Sequence, residues 1–312
     1  MNILIPGGCG YIGAWLIPHL LADGHKVTVY DTQWFGHGHL PDNGSLTVIV
    51  DDVREPDYPK EDFDAVIYLA SISSDEMCQR NSQLAHTVNE LAPMAWATLA
   101  RLRGVSRFIY ASSVAVYGVS DANETSPVAP TTIYAKGKVA AERSILKDSA
   151  FPDAIIVRSA SVCGYSPHQR FDLTVNKMVH DAVRKGVITV NGGDQKRSHI
   201  HIKDICDFYK LLLKAPVNMI AGQIFNAVAE NQAVVDTAWI VEDEIKCPVK
   251  IKERTDNRSY TVDGSKARNV LGFVPKKHVV DAVRDLKMHF DGGEWKDSFT
   301  NPVYMNIADG LS

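Results

Sequence analysis

Short apolar runs alternate with helix-length stretches along the first half of the chain. Runs at 2–5, 26–30, 46–50, 63–69, 107–111 and 154–162 have the length of buried strands, while 11–22 and 82–103 carry helical patterns. Strands alternating with helices predict an α/β fold, a doubly wound parallel sheet wrapped on both faces. In such sheets the ligand sits off the carboxyl ends of the strands. The residues just past each run therefore become candidates: Asp52 and Val53, Ala70 and Ser71, Ser112 and Ser113, each of which also reads simply as polar loop. Beyond Gly164 the alternation breaks down into a segment 166–176, a polar loop 192–197, a mixed stretch 199–205 and an amphipathic helix to about 214. The chain thus divides into a regular part, 1–163, and a smaller irregular lobe, 164–312, with segments around 199–215 returning to the first part. Pro18 lies inside the first helix, where an interior proline costs about 3 kcal/mol and predicts a kink.

Composition narrows the class. Of 312 residues, 45% are hydrophobic and 22% charged, as in ordinary globular proteins. A net charge of -4 without basic runs speaks against nucleic acid, and no apolar stretch reaches membrane-spanning length. The first residues do not resemble a signal peptide. Five cysteines, at 9, 78, 163, 206 and 247, show no Cys-x-x-Cys spacing, which argues against a disulfide framework or a metal site and for a reduced, cytoplasmic protein.

Candidate chemistry appears at two places. After the first apolar run, Gly8, Gly10 and Gly13 form Gly-x-Gly-x-x-Gly ahead of a helix, and Asp31 follows about twenty residues later at the end of the second run. Glycines let backbone approach a pyrophosphate, the helix N-terminus faces the anion, and the carboxylate accepts from ribose hydroxyls. No Arg lies between Asp31 and Leu40 to welcome a 2′-phosphate, so NAD is expected rather than NADP. In Tyr134-Ala-Lys-Gly-Lys138 a helix places a phenol and an ammonium on one face, where the cation favours the phenolate and the pair could titrate near neutral pH. Taken alone, the same spacing fits a surface helix with a snorkelling lysine. Arg197 and Arg258, read as polar-loop residues, would suit a second pyrophosphate, although surface arginines are common.

Taken together, these residues resemble the extended short-chain dehydrogenase/reductase superfamily, in its nucleotide-sugar epimerase/dehydratase branch. The resemblance rests on Gly7-Gly-Cys-Gly-Tyr-Ile-Gly13, Asp31, Asp52-Val53, Leu69-Ala70, Asn89, Ala111-Ser-Ser-Val-Ala-Val-Tyr-Gly118, Tyr134-x-x-x-Lys138, Arg158 and His199-Ile-His-Ile-Lys-Asp204, nearly the whole chain. It implies a Rossmann-type nucleotide-binding domain carrying the catalytic residues. Tyr134 would be the base, Lys138 would bind the nicotinamide ribose and lower the phenol's pKa, and Ser113 would bond the reacting sugar oxygen. Gly7, Gly10, Tyr11, Ile12, Gly13 and Asp31 would hold NAD, Asp52 and Val53 would reach the adenine, and Leu69, Ala70 and Asn89 complete the cofactor set. On the substrate side, Arg197 and Arg258 would clamp a sugar diphosphate, with Ser73 and Ser161 nearby. Ser161 stands where the best-known epimerases have a phosphate-contacting Asn, a part for which Asn176 is the substitute.

The 4,6-dehydratases carry Asp-Glu directly after the catalytic Ser or Thr, whereas this chain has Val114 and Ala115. The resemblance therefore implies a nucleotide-sugar 4-epimerase acting through a 4-keto sugar. The alternative is a 4-oxidoreductase that releases its ketone, since 166–176 and 256–260 resemble nucleotide-heptose 4-dehydrogenases; a 4,6-dehydratase or a non-catalytic NAD sensor follows behind. Asp75 and Glu76, in the loop after the fourth run, are either an acid for a second step or solvated carboxylates. Relatives of this type form homodimers through a four-helix bundle, with Ala92, Ala95, Trp96 and Leu99 as the expected seam unless that face covers the sheet.

Overall fold

A computed structural model describes residues 1–36, 39–118, 121–147, 150–254 and 258–306. Its order begins β1 (Asn2–Pro6), α1 (Tyr11–Ala22), β2 (Lys26–Asp31), β3 (Leu46–Val50) and β4 (Ala65–Tyr68). Helices α2 (Asp75–Arg80) and α3 (Ser82–His86), a π-helical segment Thr87–Leu91 and α4 (Ala92–Leu102) lead to β5 (Arg107–Ser113), a 3₁₀ turn Val114–Tyr117, α5 (Ile133–Leu146) and β6 (Ile155–Ser159). Then come β7 (Ser161–Cys163), α6 (Thr174–Lys185), β8 (Ile188–Asn191), β9 (Lys196–His201), α7 (Ile202–Lys214), α8 (Val217–Ile220) and β10 (Ile224–Ala227). The chain closes with β11 (Glu230–Ala233), α9 (Val234–Ile245), β12 (Val249–Lys252), α10 (Ser265–Leu271), α11 (Val279–Asp291) and a 3₁₀ turn Pro302–Met305.

Seven strands in the order β10-β6-β5-β4-β1-β2-β3 form one parallel sheet, the Rossmann-type doubly wound arrangement. Central strands read as unbroken apolar runs because both of their faces are covered: Ile3, Leu4, Ile5 and all of β4 are buried. The order reverses between β1 and β4, which opens a crevice at their carboxyl ends.

The single apolar run at 154–162 is in fact two strands. Backbone pairing switches at Ala160, so that β7 leaves the main sheet and joins β9 and β11 in a three-stranded one. Of the stretch 199–215, residues 199–201 belong to that smaller sheet and α7 packs on α1, while β10, which had no sequence signal of its own, becomes the seventh strand of the main sheet. Helices α6, α9 and α11 enclose the separate core of the irregular lobe.

The long helix expected at 82–103 is broken. Pro93 lacks the N–H that would meet the carbonyl of Asn89, and the helix widens into its π-helical segment just there. By contrast α1 continues through Pro18. Of the expected dimer seam, Ala95 and Leu99 are half-buried, while Ala92 and Trp96 are taken up by the fold. Trp96 is fully buried, edge-on to Tyr30 at 4.8 Å, and donates to the carbonyl of Val53 at 2.9 Å; Ala92 is buried too, and the outward residues are Leu91, Met94 and Leu102. All five cysteines are free and buried. Among the described residues no helix is long and apolar enough to cross a membrane, and no His/Cys/Asp/Glu group could hold a metal.

Candidate active site

A cavity lies at the crevice, and its first half is built by backbone. Gly7, Gly10, Tyr11, Ile12 and Gly13 line it, with Asp31, Asp52, Val53, Leu69 and Ala70 opposite. Two glycines are required by contact: a Cβ on Gly7, whose φ is +80°, would stand 2.3 Å from the amide N of Ala70, and one on Gly13 would stand 2.1 Å from the carbonyl O of Gly8. The turn is thereby pressed onto β4 and the start of α1. Gly10 caps α1 without a side-chain hydrogen bond and no acid occupies the first turn, which leaves the helix's positive end for an anion.

Asp31 accepts from the backbone N–H of Cys9 at 2.9 Å and of Gln33 at 2.8 Å, which aims the carboxylate and leaves acceptor capacity on both oxygens. Burial raises its pKa against those two hydrogen bonds. Asp52 is paired with Arg54 at 2.7 Å. Thr32, Trp34 and Phe35 also line this half; no site role was assigned to them from sequence, although an aromatic pair just past the second strand was a visible signal. A cradle closed to side chains, an uncapped helix end and an anchored acid fit an adenine dinucleotide.

The second half is organised by α5. Thr132 caps it, accepting from the N–H of Ala135 at 3.2 Å, a contact typically worth about 1 kcal/mol. Residues spaced by four then share one side: Tyr134 and Lys138 reach the cavity, and Glu142 turns into the core. Glu142 receives Arg158 through two hydrogen bonds of 3.0 and 2.6 Å and the hydroxyl of Ser112 at 2.5 Å. Arg158 also donates to Tyr117, whose hydroxyl donates to Asn226. This buried chain ties α5 to β5, β6 and β10 directly behind Ser113, which lines the cavity and whose Oγ accepts from the N–H of Ala115 at 3.2 Å.

The ammonium of Lys138 donates to the carbonyl of Ala111 at 2.8 Å and lies 5.6 Å from the centre of the Tyr134 ring. Burial pushes Lys138 down to about 7, opposed by Cys78 and Glu142. Burial also pushes the Tyr134 phenol up to about 12, against a hydrogen bond from Ser113 and the charge of Arg170. The near-neutral phenol expected from the spacing is thus not produced by the protein's own groups. Both members lose water, and loss of water is the largest cause of each shift.

Arg197 is not in a loop but on β9, buried, donating to the carbonyls of Lys196 and Arg258 at 2.9 and 2.6 Å. Both arginines line the cavity, as do Ser73 and Ser161. Two amides expected at the site are engaged by the protein itself. The amide of Asn176 is buried away from the cavity, accepting from Gly164 and donating to Tyr11 and the carbonyl of Arg170. Asn89 likewise braces the loop after β4, with hydrogen bonds to Ser71 and to both backbone groups of Ile72. Asp75 and Glu76 open a helix rather than a loop; Asp75 faces the cavity and pairs with Arg258 at 2.9 Å, whereas Glu76 is exposed and pairs with Arg80. Asp256 and Asn257 lie outside the described residues. Arg170 had no assigned role. It is buried at the cavity, held by Asp172 at 3.0 and 2.5 Å, and donates to Ser73 at 2.6 Å.

The sequence model of the NAD dependent epimerase/dehydratase family matches residues 3–227. The chain belongs to that family. It is therefore an enzyme of the extended short-chain dehydrogenase/reductase type, and NAD is the family's cofactor. Among curated relatives, a UDP-glucose 4-epimerase of Mycolicibacterium smegmatis is 27% identical over 307 residues, covering 91% of this chain and 96% of its own. UDP-glucuronic acid decarboxylase 1 of Danio rerio is 26% identical over 88% of this chain and 69% of its own. The fold is shared with the UDP-glucuronic acid 4-epimerase of Bacillus cereus, solved with UDP-glucuronic acid and NAD (TM-score 0.85, 22% identity, 94% of this chain and 99% of that one). It is shared too with TunA, an NAD dependent NDP-hexosamine 5,6-dehydratase (TM-score 0.82, 25% identity, 93% and 98%).

Proposed function

We propose that this family member is an NAD-dependent nucleotide-sugar 4-epimerase working through a transient 4-keto sugar. Bound NAD supplies the chemistry of reversible hydride acceptance. The chain's own part is to hold the sugar and move one proton. In its phenolate form, which the positive charge of a bound oxidised nicotinamide would favour where burial alone does not, Tyr134 takes the proton of the C4 hydroxyl and gives it back, Ser113 holds the same oxygen, and Lys138, bonded to Ala111, stands beside the phenol ring. Arg197 and Arg258 hold the diphosphate while the sugar turns between the two proton transfers.

The observation that carries this reading is the wall beside the phenol. Val114 and Ala115 follow Ser113 into the cavity, and neither can shuttle a proton at C5 or C6. Elimination by that route lacks its acid, whereas epimerisation needs no acid or base beyond Tyr134. The test is incubation of the holoenzyme with pairs of C4-epimeric nucleotide sugars. Interconversion of the two without net NADH supports the proposal; NADH accumulating in proportion to sugar consumed replaces it with a ketone-releasing oxidoreductase.

A further inference from the structure

Asp75 has no part in the scheme above, yet it lines the same cavity as Tyr134 and Ser113. One carboxylate oxygen, Oδ2, accepts from Arg258 Nη1 at 2.9 Å. The other, Oδ1, is buried and makes no hydrogen bond among the described residues. Its charge acts on the site, since it helps hold up the pKa of both the Tyr134 phenol and the neighbouring Cys78 thiol.

An ionised carboxylate is acceptor-only, so the complement of a buried, unmatched Oδ1 is a donor. A buried acceptor left without one weakens the bound state by about tenfold to a hundredfold. Of the three arginines lining the cavity, Arg258 is paired with Asp75 itself, Arg170 is matched by Asp172 through two hydrogen bonds, and Arg197 is given with Arg258 to the diphosphate in the scheme above. A further carboxylate here would face Asp75 with no arginine left to balance it, and once Arg258 turns to a diphosphate the imbalance grows.

We infer that Asp75 is a specificity-determining residue that accepts a hydrogen bond from a hydroxyl of the sugar, and that the sugar taken is neutral rather than a uronic acid. This rests on the nucleotide-sugar reading above and narrows it.

The test uses the NAD-loaded enzyme. Competition among UDP, GDP, CDP and dTDP first identifies the base; kcat/KM is then compared for a neutral sugar and a uronic acid carried on that nucleotide. The wild type is expected to favour the neutral sugar by about tenfold or more. Asp75→Ala should lower kcat/KM for the neutral sugar by about tenfold, mainly through KM, and Asp75→Asn, which keeps the shape and an acceptor oxygen, should narrow the neutral-over-acidic preference by a similar factor. A wild type that turns over the uronic acid better overturns the inference while leaving the epimerase reading intact. So does an Asp75→Ala enzyme within about twofold of wild type on the neutral sugar. If the wild type turns over neither kind of nucleotide sugar while holding NAD, the epimerase reading fails and this inference falls with it.

Discussion

The ammonium of Lys138 and the phenol of Tyr134 share one face of α5, 5.6 Å from nitrogen to ring centre, and burial shifts both away from their charged forms. Between pH 7 and 10 the folded chain has already released a Lys138 proton that the unfolded chain still holds, so this group's contribution to stability rises with pH across that window, opposed from about pH 9 by the thiols of Cys9 and Cys78, which burial pushes up to about 12 and about 11. Above pH 10 the phenols of Tyr134 and Tyr58, both pushed up to about 12 in the fold, add to that opposition. Lys138→Met should flatten the rise and raise the melting temperature at pH 7. Thermal melts from pH 6 to 10 without added dinucleotide check this; a mutant that melts lower at pH 7 contradicts it.

Tyr134→Phe should cut turnover by about two to four orders of magnitude, the usual range for losing a general acid-base group. NAD retention should stay within a few-fold, because the cradle of Gly7, Gly10 and Asp31 is untouched. Single-turnover sugar oxidation beside a cofactor titration separates the two effects. A non-catalytic sensor would show no difference in either.

Arg158→Met leaves Glu142 buried without its guanidinium and should cost about 3–5 kcal/mol in denaturant unfolding. Pairing it with Glu142→Leu should recover a large part of that loss, since the penalty comes from the stranded charge. A double variant no more stable than the single one would show that the contact's worth lies in packing.

Asp31→Asn keeps an acceptor for one of the two N–H groups that Asp31 holds but removes its charge. The Kd for NAD should rise about tenfold and the discrimination against NADP should shrink by about tenfold, because the carboxylate no longer opposes a 2′-phosphate. Unchanged discrimination would move cofactor selection to another part of the cradle.

How much of this was legible beforehand depended on whether the cause was local. The strands β1 to β5, the glycine turn and helix α5 announce themselves through apolar runs, spacing and caps, all short-range properties. Helix α2 is six residues of mostly polar sequence, too short for a period, and β10 is four residues that become a strand only because β6 offers an edge. The amides misled for a related reason. Asn89 and Asn176 occupy positions that invite a ligand, but the groups that consume them, Ile72 and Tyr11, come from other elements. Arg170 carried no signal because a partner that places it at the cavity, Ser73, lies 97 positions away.

The return of the chain to the main sheet has a consequence for dissection. One apolar core joins Ile3 and Leu16 to Phe208, Phe225 and Phe273, so residues far apart in the chain share a single interior. Cleavage after residue 163 would take away the outermost strand and the helix packed on α1, leaving a fragment with a raw hydrophobic flank. The dinucleotide cradle therefore cannot be isolated by truncation at that point, and the two halves should melt in a single transition.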